Sequence, residues 1–128
     1  MKATDLMLGD KVMVKVLSQI PNTYVLHTWT ANDYSRDIQV KPIPLTAEIL
    51  EKDGWERDID KEWEYNNSHI LPHYCYQWEK QNVKIEMYAG LEGFTISLII
   101  GRRFYAVHEL QHVLRLYGLD ELADNFKI

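Results

Sequence analysis

Alternating hydrophobic and polar residues mark the first element of the chain. Residues 12–16 read Val-Met-Val-Lys-Val and follow Gly9-Asp10-Lys11, and a period of two is typical of a β-strand with one buried face. The glycine relaxes the turn before the strand, and the aspartate side chain can hydrogen-bond to nearby backbone groups.

This opening resembles the first strand of small SH3-like barrels. Two further strands are predicted over residues 23–29 and 36–40.

A short helix is predicted next. Two prolines end the strand region, because proline lacks a backbone donor. Thr46 is a suitable N-cap, and Gly54 is placed to adopt the left-handed conformation after the last turn. We therefore expect a helix between these two residues, with Trp55 folded back onto Leu50.

The second half of the chain predicts strands followed by helices. Three alternating segments, centred on Tyr76, Ile85 and Ile96, are separated by short turns, which favours an antiparallel meander. Residues 107–117 have the apolar spacing of one helix face, and a shorter helix is predicted over residues 119–125. The predicted class is α+β, with a small N-terminal β subdomain followed by an antiparallel meander and C-terminal helices.

Length and composition bound the class of protein. With 128 residues and 46% hydrophobic residues, residues 1–128 are expected to form a single compact domain, which the prolines can subdivide into residues 1–45 and 46–128. The single cysteine, Cys75, lies in a predicted strand, so a buried structural thiol and a cytoplasmic location are expected. The longest apolar run is far too short to span a bilayer, so no membrane association is expected.

The net charge of -5 comes entirely from residues 48–64, which contain eight acidic and three basic residues. The rest of the chain is balanced and has no basic stripe, so nucleic acid is disfavoured as a partner. Trp55, Ile59 and Trp63 lie within this acidic segment, and Tyr65 follows it directly. Two interpretations stay open: a solvated face over core aromatics, or anchors for a protein partner.

The helix over residues 107–117 contains His-Glu-Leu-Gln-His at residues 108–112 (HELQH), which resembles the zinc-binding motif of the zincin metallopeptidases. The resemblance implies zinc bound by His108 and His112, with Glu109 as general base. A helical wheel, however, turns both histidines and Arg115 away from the apolar face, so we expect them to point outward. No third ligand follows at the usual spacing, and Glu121 is the best remaining candidate. We therefore expect no cofactor, with zinc as the alternative, and Glu109 placed to favour the helix dipole.

Several short segments resemble a family of small uncharacterised proteins of Bacteroides-type genomes, often found among phage or mobile-element genes. The resemblance is carried by residues 5–12, 43–46, 49–50, 54–55 and 105–112, and spans most of the chain. In that family the position of the HELQH glutamate can be glutamine, which could not act as a base.

The sequence therefore favours a non-enzymatic accessory or protein-interaction protein of a phage or mobile element. Its partner would be another protein of unknown identity. The alternative is a metallopeptidase-like zinc hydrolase using HELQH. Bound metal, and histidines that face a cleft, would distinguish the second function from the first.

Overall fold

The structure, a computed structural model, describes residues 5–17, 23–35, 38–59, 62–63, 73–78, 83–88, 93–96 and 99–128. Antiparallel sheets and helices are both present, so the predicted α+β class is confirmed. The strands are β1 (Lys11–Val16), β2 (Val25–Thr28), β3 (Ile38–Lys41), β4 (Glu56–Arg57), β5 (His73–Gln77), β6 (Lys84–Tyr88), β7 (Phe94–Ile96) and β8 (Ile99–Phe104). The helices are α1 (Ala47–Asp53), α2 (Val107–Leu116) and α3 (Asp120–Asp124), with a 3₁₀ helix at Ala31–Ser35.

The chain divides into two compact units. The first unit contains Met1–Pro44 and Ala106–Phe126, and the second contains Leu45–Tyr105 with Lys127–Ile128. The C-terminal helices α2 and α3 thus belong to the same unit as the N-terminal sheet. The expectation of a single compact domain stays a prediction.

The first unit is built on a three-stranded antiparallel sheet in the order β2-β1-β3. Val12 and Val14 of the central strand are buried, as their alternation predicts. They pack in a core with Leu6 and Trp29, against which Ile38 and Val40 of β3 are partly buried. Closure of this sheet into an SH3-like barrel stays a prediction.

The predicted turn before β1 is present. The Met7 N–H donates to the Asp10 carboxylate (2.8 Å), and the Asp10 N–H donates to the Met7 carbonyl (3.1 Å). Gly9 has a φ of 88°, which favours glycine. Backbone hydrogen bonds of Gly9 and Asp10 with Trp29 then join this turn to the chain beyond β2.

The second unit begins with the predicted helix α1. The Thr46 hydroxyl accepts from the Ile49 N–H (3.2 Å), and Gly54 ends the helix with a φ of 108°. The Trp55 N–H donates to the Leu50 carbonyl (3.0 Å), which confirms the predicted return of the chain onto this residue.

The second unit also contains a five-stranded antiparallel sheet in the order β4-β5-β6-β7-β8, and the predicted meander is its centre. The sequence does not predict β4 or β8: two residues are too few for a pattern, and the Gly-Arg-Arg sequence of β8 has no apolar alternation.

Cys75 is buried in β5 as expected, and burial raises the pKa of its thiol to about 11. The thiol is therefore protonated at neutral pH and contributes to the packing of the core.

The C-terminal helices follow the predicted plan. After α2, Gly118 has a φ of 79°, and the Leu119 N–H donates to the Leu114 carbonyl (2.9 Å). Among the described residues, no helix is both long enough and apolar enough to cross a membrane.

Gly54→Ala is expected to lower the free energy of unfolding by about 1–3 kcal/mol, because a side chain is strained at positive φ. The added Cβ would also lie 3.2 Å from the ring of Trp78. Gly118→Ala is the matched control: its φ is positive, yet no atom of the described residues lies within 4 Å of the added Cβ. Urea denaturation followed by circular dichroism should show the larger loss for Gly54→Ala, and equal losses would contradict a steric role of Trp78.

Candidate functional site

The HELQH segment begins helix α2. The Ala106 N–H donates to a carboxylate oxygen of Glu109 (3.0 Å), so this side chain caps the first turn. Its negative charge also lies in the first turn, as predicted, where it favours the helix dipole. Glu109 therefore has a structural role at the start of the helix.

The predicted outward direction of the histidines is wrong. His108 is buried, with 8% of its surface exposed, and the side chains of His112 and Arg115 are largely buried. Both His112 and Arg115 contact Asp10, which lies in the turn before β1. A helical wheel that weighs only apolar residues does not reveal that a polar helix face can be buried by hydrogen bonds.

The carboxylate of Asp10 is fully buried and links two parts of the first unit, the turn before β1 and helix α2. One oxygen accepts from the Met7 N–H (2.8 Å) and from Nε2 of His112 (2.5 Å). The other oxygen accepts from Nη1 of Arg115 (2.5 Å). Burial alone would raise the pKa of Asp10, but these donors outweigh burial and lower it. Asp10 is therefore a charged, fully engaged structural group.

Gln111 makes a second link, which sequence reasoning missed. Its side-chain oxygen accepts from the Lys11 N–H (2.8 Å), and its Nε2 donates to the carbonyls of Gly9 (3.0 Å) and Ala123 (2.9 Å). The side chain is fully buried and joins α2 to β1 and α3. A signal existed, because Gln111 shares a helix face with Val107 and Leu114, and a polar group on an apolar face requires buried partners.

His108 is the least satisfied member of the segment. Its Nδ1 is buried and has no hydrogen-bond partner among the described residues. Burial lowers the pKa of this histidine, and the neighbouring His112, whose ring centre is 5.5 Å away, acts in the same direction. His108 is therefore held as a neutral imidazole.

These side chains do not fit a zincin metal site. Nε2 of His112 is occupied by the Asp10 carboxylate, and the Glu109 carboxylate accepts from the backbone at the helix start. Where the structure describes the chain, no group of three or more His, Cys, Asp or Glu side chains is arranged to hold a metal ion. Glu121, the expected third ligand, is exposed on α3.

The candidate partner residues of the acidic segment differ in how far their side chains are exposed. Trp55 is buried, and its indole N–H donates to Asp53 (3.0 Å), which removes it from any partner surface. Ile59 and Trp63 are 60% and 65% exposed. Tyr65 lies outside the described residues. Trp55 is therefore a core aromatic, whereas Ile59 and Trp63 are exposed. Their use as anchors for a protein partner stays a prediction.

Comparison of the chain with family models, curated proteins and solved structures finds no match.

Asp10→Asn is expected to lower the free energy of unfolding by about 3–5 kcal/mol, because it leaves the charge of Arg115 without its buried partner. The matched control is Asp124→Asn, which removes an exposed partner of the same arginine and should cost less than about 1 kcal/mol. Urea denaturation measures both losses. A loss for Asp10→Asn no larger than that of the control would contradict the role of Asp10.

The loss caused by Asp10→Asn should depend on pH. The folded-state pKa of Asp10 is lowered, so its contribution to stability is fully present above the unfolded value near 3.8. That contribution disappears as the pH falls through the lower folded value. The stability difference between wild type and variant should therefore be constant near neutral pH and shrink in acid, and a difference that grows in acid would contradict this assignment.

The stability of Glu109 variants tests whether this side chain caps the start of helix α2. Glu109→Gln should cost only about 0.5 kcal/mol, because glutamine can also accept from the Ala106 N–H. Glu109→Ala should cost about 1 kcal/mol or more, because the cap is lost. Thermal denaturation monitored by circular dichroism compares them, and equal losses would argue against capping by this side chain.

Proposed function

We propose that the protein is a non-enzymatic interaction protein, which binds another protein through a patch formed by Ile59 and Trp63, the Ile59/Trp63 patch. The observation that carries the proposal is the exposure of these two large side chains within the acidic segment. Large exposed apolar side chains in a polar surround are typical of protein-binding surfaces, and tryptophan is prominent among residues that dominate binding energy.

The geometry near the patch supports its use as a docking surface. The Glu62 N–H donates to the Asp58 carbonyl (3.0 Å), and Ile59, Glu62 and Trp63 are helical. Ile59 and Trp63 are four positions apart, which is the spacing of neighbouring side chains on one helix face. The Glu62 side chain is buried and pairs with Arg57 (2.8 Å). This ion pair holds the residue before Trp63 in place, while Ile59 and Trp63 stay exposed.

The alternative function, zinc-dependent hydrolysis by HELQH, has less support. His112 and Glu109 would have to exchange their hydrogen bonds with Asp10 and Ala106 for a metal and a water. The glutamine at the Glu109 position in the resembled family would retain the cap but not the base. One observation favours the alternative: Nδ1 of the buried His108 has no hydrogen-bond partner in the part of the chain that the structure describes.

The resemblance to small proteins of phage and mobile elements extends the proposal. An accessory protein encoded by such an element acts on other proteins of its host or of the element itself. The same proposal includes a cytoplasmic location. The acidic surround of the patch favours a partner surface that is apolar at its centre and basic at its rim.

Trp63→Ser is expected to abolish capture of the partner. Tagged wild-type protein and variants would be incubated with a lysate of the source cells, and retained proteins would be quantified by mass spectrometry. Leu116→Ser is the matched control, since Leu116 is more exposed than Trp63 but lies outside the patch. Loss of a central tryptophan should weaken binding by at least about thirtyfold, and a set of retained proteins that is the same for both variants would contradict the proposal.

A further inference from the structure

The outer face of the three-stranded sheet has an unusual charge. Strand register places alternate side chains of β1, β2 and β3 on the side opposite the buried Val12 and Val14. This lysine face consists of Lys11, Met13, Lys15, Leu26, Thr28, Gln39 and Lys41. It carries three positive charges and no acidic residue, in a chain whose net charge is -5.

Aromatic and hydroxyl contacts hold the lysines of this face in place. The ammonium groups of Lys15 and Lys41 lie 5.2 and 4.3 Å from the ring centre of Tyr24, within reach of a cation–π interaction. Lys11 donates to the hydroxyl of Thr28 (2.6 Å). Among the described residues, none of the three forms a salt bridge, so no carboxylate of that part of the chain competes with an anionic partner for them.

The lysine face also has an apolar part. Leu26 lies opposite Met13 across β1 and β2, and about half of its surface is exposed. A partner that suits this face must combine negative charge with large apolar side chains. Nucleic acid supplies the charge, but the excess of acidic groups elsewhere on the chain repels a phosphate backbone.

Both required properties occur in the acidic segment of this chain. Residues 48–64 hold eight acidic and three basic residues, a net charge of -5. Glu48 and Glu56 are exposed, as are Ile59 and Trp63. The segment thus complements the lysine face in charge and in apolar character.

We propose that the lysine face of one copy of the protein binds the Ile59/Trp63 patch of a second copy. This inference rests on the proposed function, because it names the partner of the same patch. In this contact the exposed carboxylates of the acidic segment, such as Glu48 and Glu56, lie against Lys15 and Lys41, while the indole and the Ile59 side chain cover Leu26 and Met13. The contact joins two different surfaces, so it builds a ring, a reciprocal dimer or a longer assembly.

Sedimentation velocity over a concentration series, at low and high salt, tests this inference. The wild-type protein should self-associate, and the association should weaken at high salt because the exposed charges are screened. The double variant Lys15→Glu/Lys41→Glu should weaken it by at least about tenfold, since like charges then face each other. Trp63→Ser should have a comparable effect. Arg103→Glu, a reversal of an exposed charge on β8 that belongs neither to the lysine face nor to the acidic segment, should change the association little.

A charge-swap mixture gives the sharpest result. Glu56→Lys/Glu64→Lys reverses two negative charges of the acidic segment and should also be monomeric. Mixed with Lys15→Glu/Lys41→Glu, it should restore association, because the reversed face of one variant complements the reversed segment of the other. Circular dichroism spectra matching wild type would show that both variants are folded.

Three results would overturn the inference. They are a wild-type protein that is monomeric throughout, an association unaffected by Lys15→Glu/Lys41→Glu, or a charge-swap mixture that stays monomeric. Nucleic acid co-purifying with a monomeric wild type, and lost from the lysine variant, would assign the face to nucleic acid instead. If partner capture still depends on Trp63 in these cases, the proposed function stands and only self-association fails. If Trp63 affects neither measurement, both fail.

Discussion

The buried carboxylate of Asp10 is the interaction on which the first unit depends. A single side chain accepts from the Met7 N–H, from His112 and from Arg115, and so ties the turn before β1 to helix α2. A buried charge is stable only when its partners are in place. The N-terminal sheet and the C-terminal helix therefore stabilise each other, although they come from opposite ends of the sequence.

Elements determined by local chemistry were predictable. Thr46 caps α1, Gly54 ends it, and Trp55 returns to Leu50, as expected from residue types within one short segment. The alternation of β1 likewise identified its buried side, because a period of two needs no knowledge of the partner strands. The Gly-Asp turn belongs to the same group.

Long-range pairing was beyond the reach of the sequence. Asp10 and Arg115 are 105 positions apart, and Lys11 and Gln111 are 100 apart. Nothing in the local pattern indicates that these residues meet. The expectation that His112 and Arg115 face solvent failed for the same reason: a helix face rich in polar residues is exposed only if no other part of the chain supplies hydrogen-bond partners, and Asp10 supplies one to both. Hydrogen bonds explain three of the five HELQH residues, Glu109, Gln111 and His112, and Leu110 belongs to the core.

The tautomer of His112 tests most directly whether HELQH is a structural segment or a metal site. A carboxylate only accepts hydrogen bonds, so Nε2 of His112 must carry the proton shared with Asp10. Nitrogen-15 NMR of the histidine side chains, before and after addition of one equivalent of zinc, observes this nitrogen. If HELQH is a structural segment, Nε2 of His112 is protonated and its signal is unchanged by zinc. An unprotonated Nε2 whose signal shifts on binding zinc, together with that of His108, would contradict it and make HELQH a metal site.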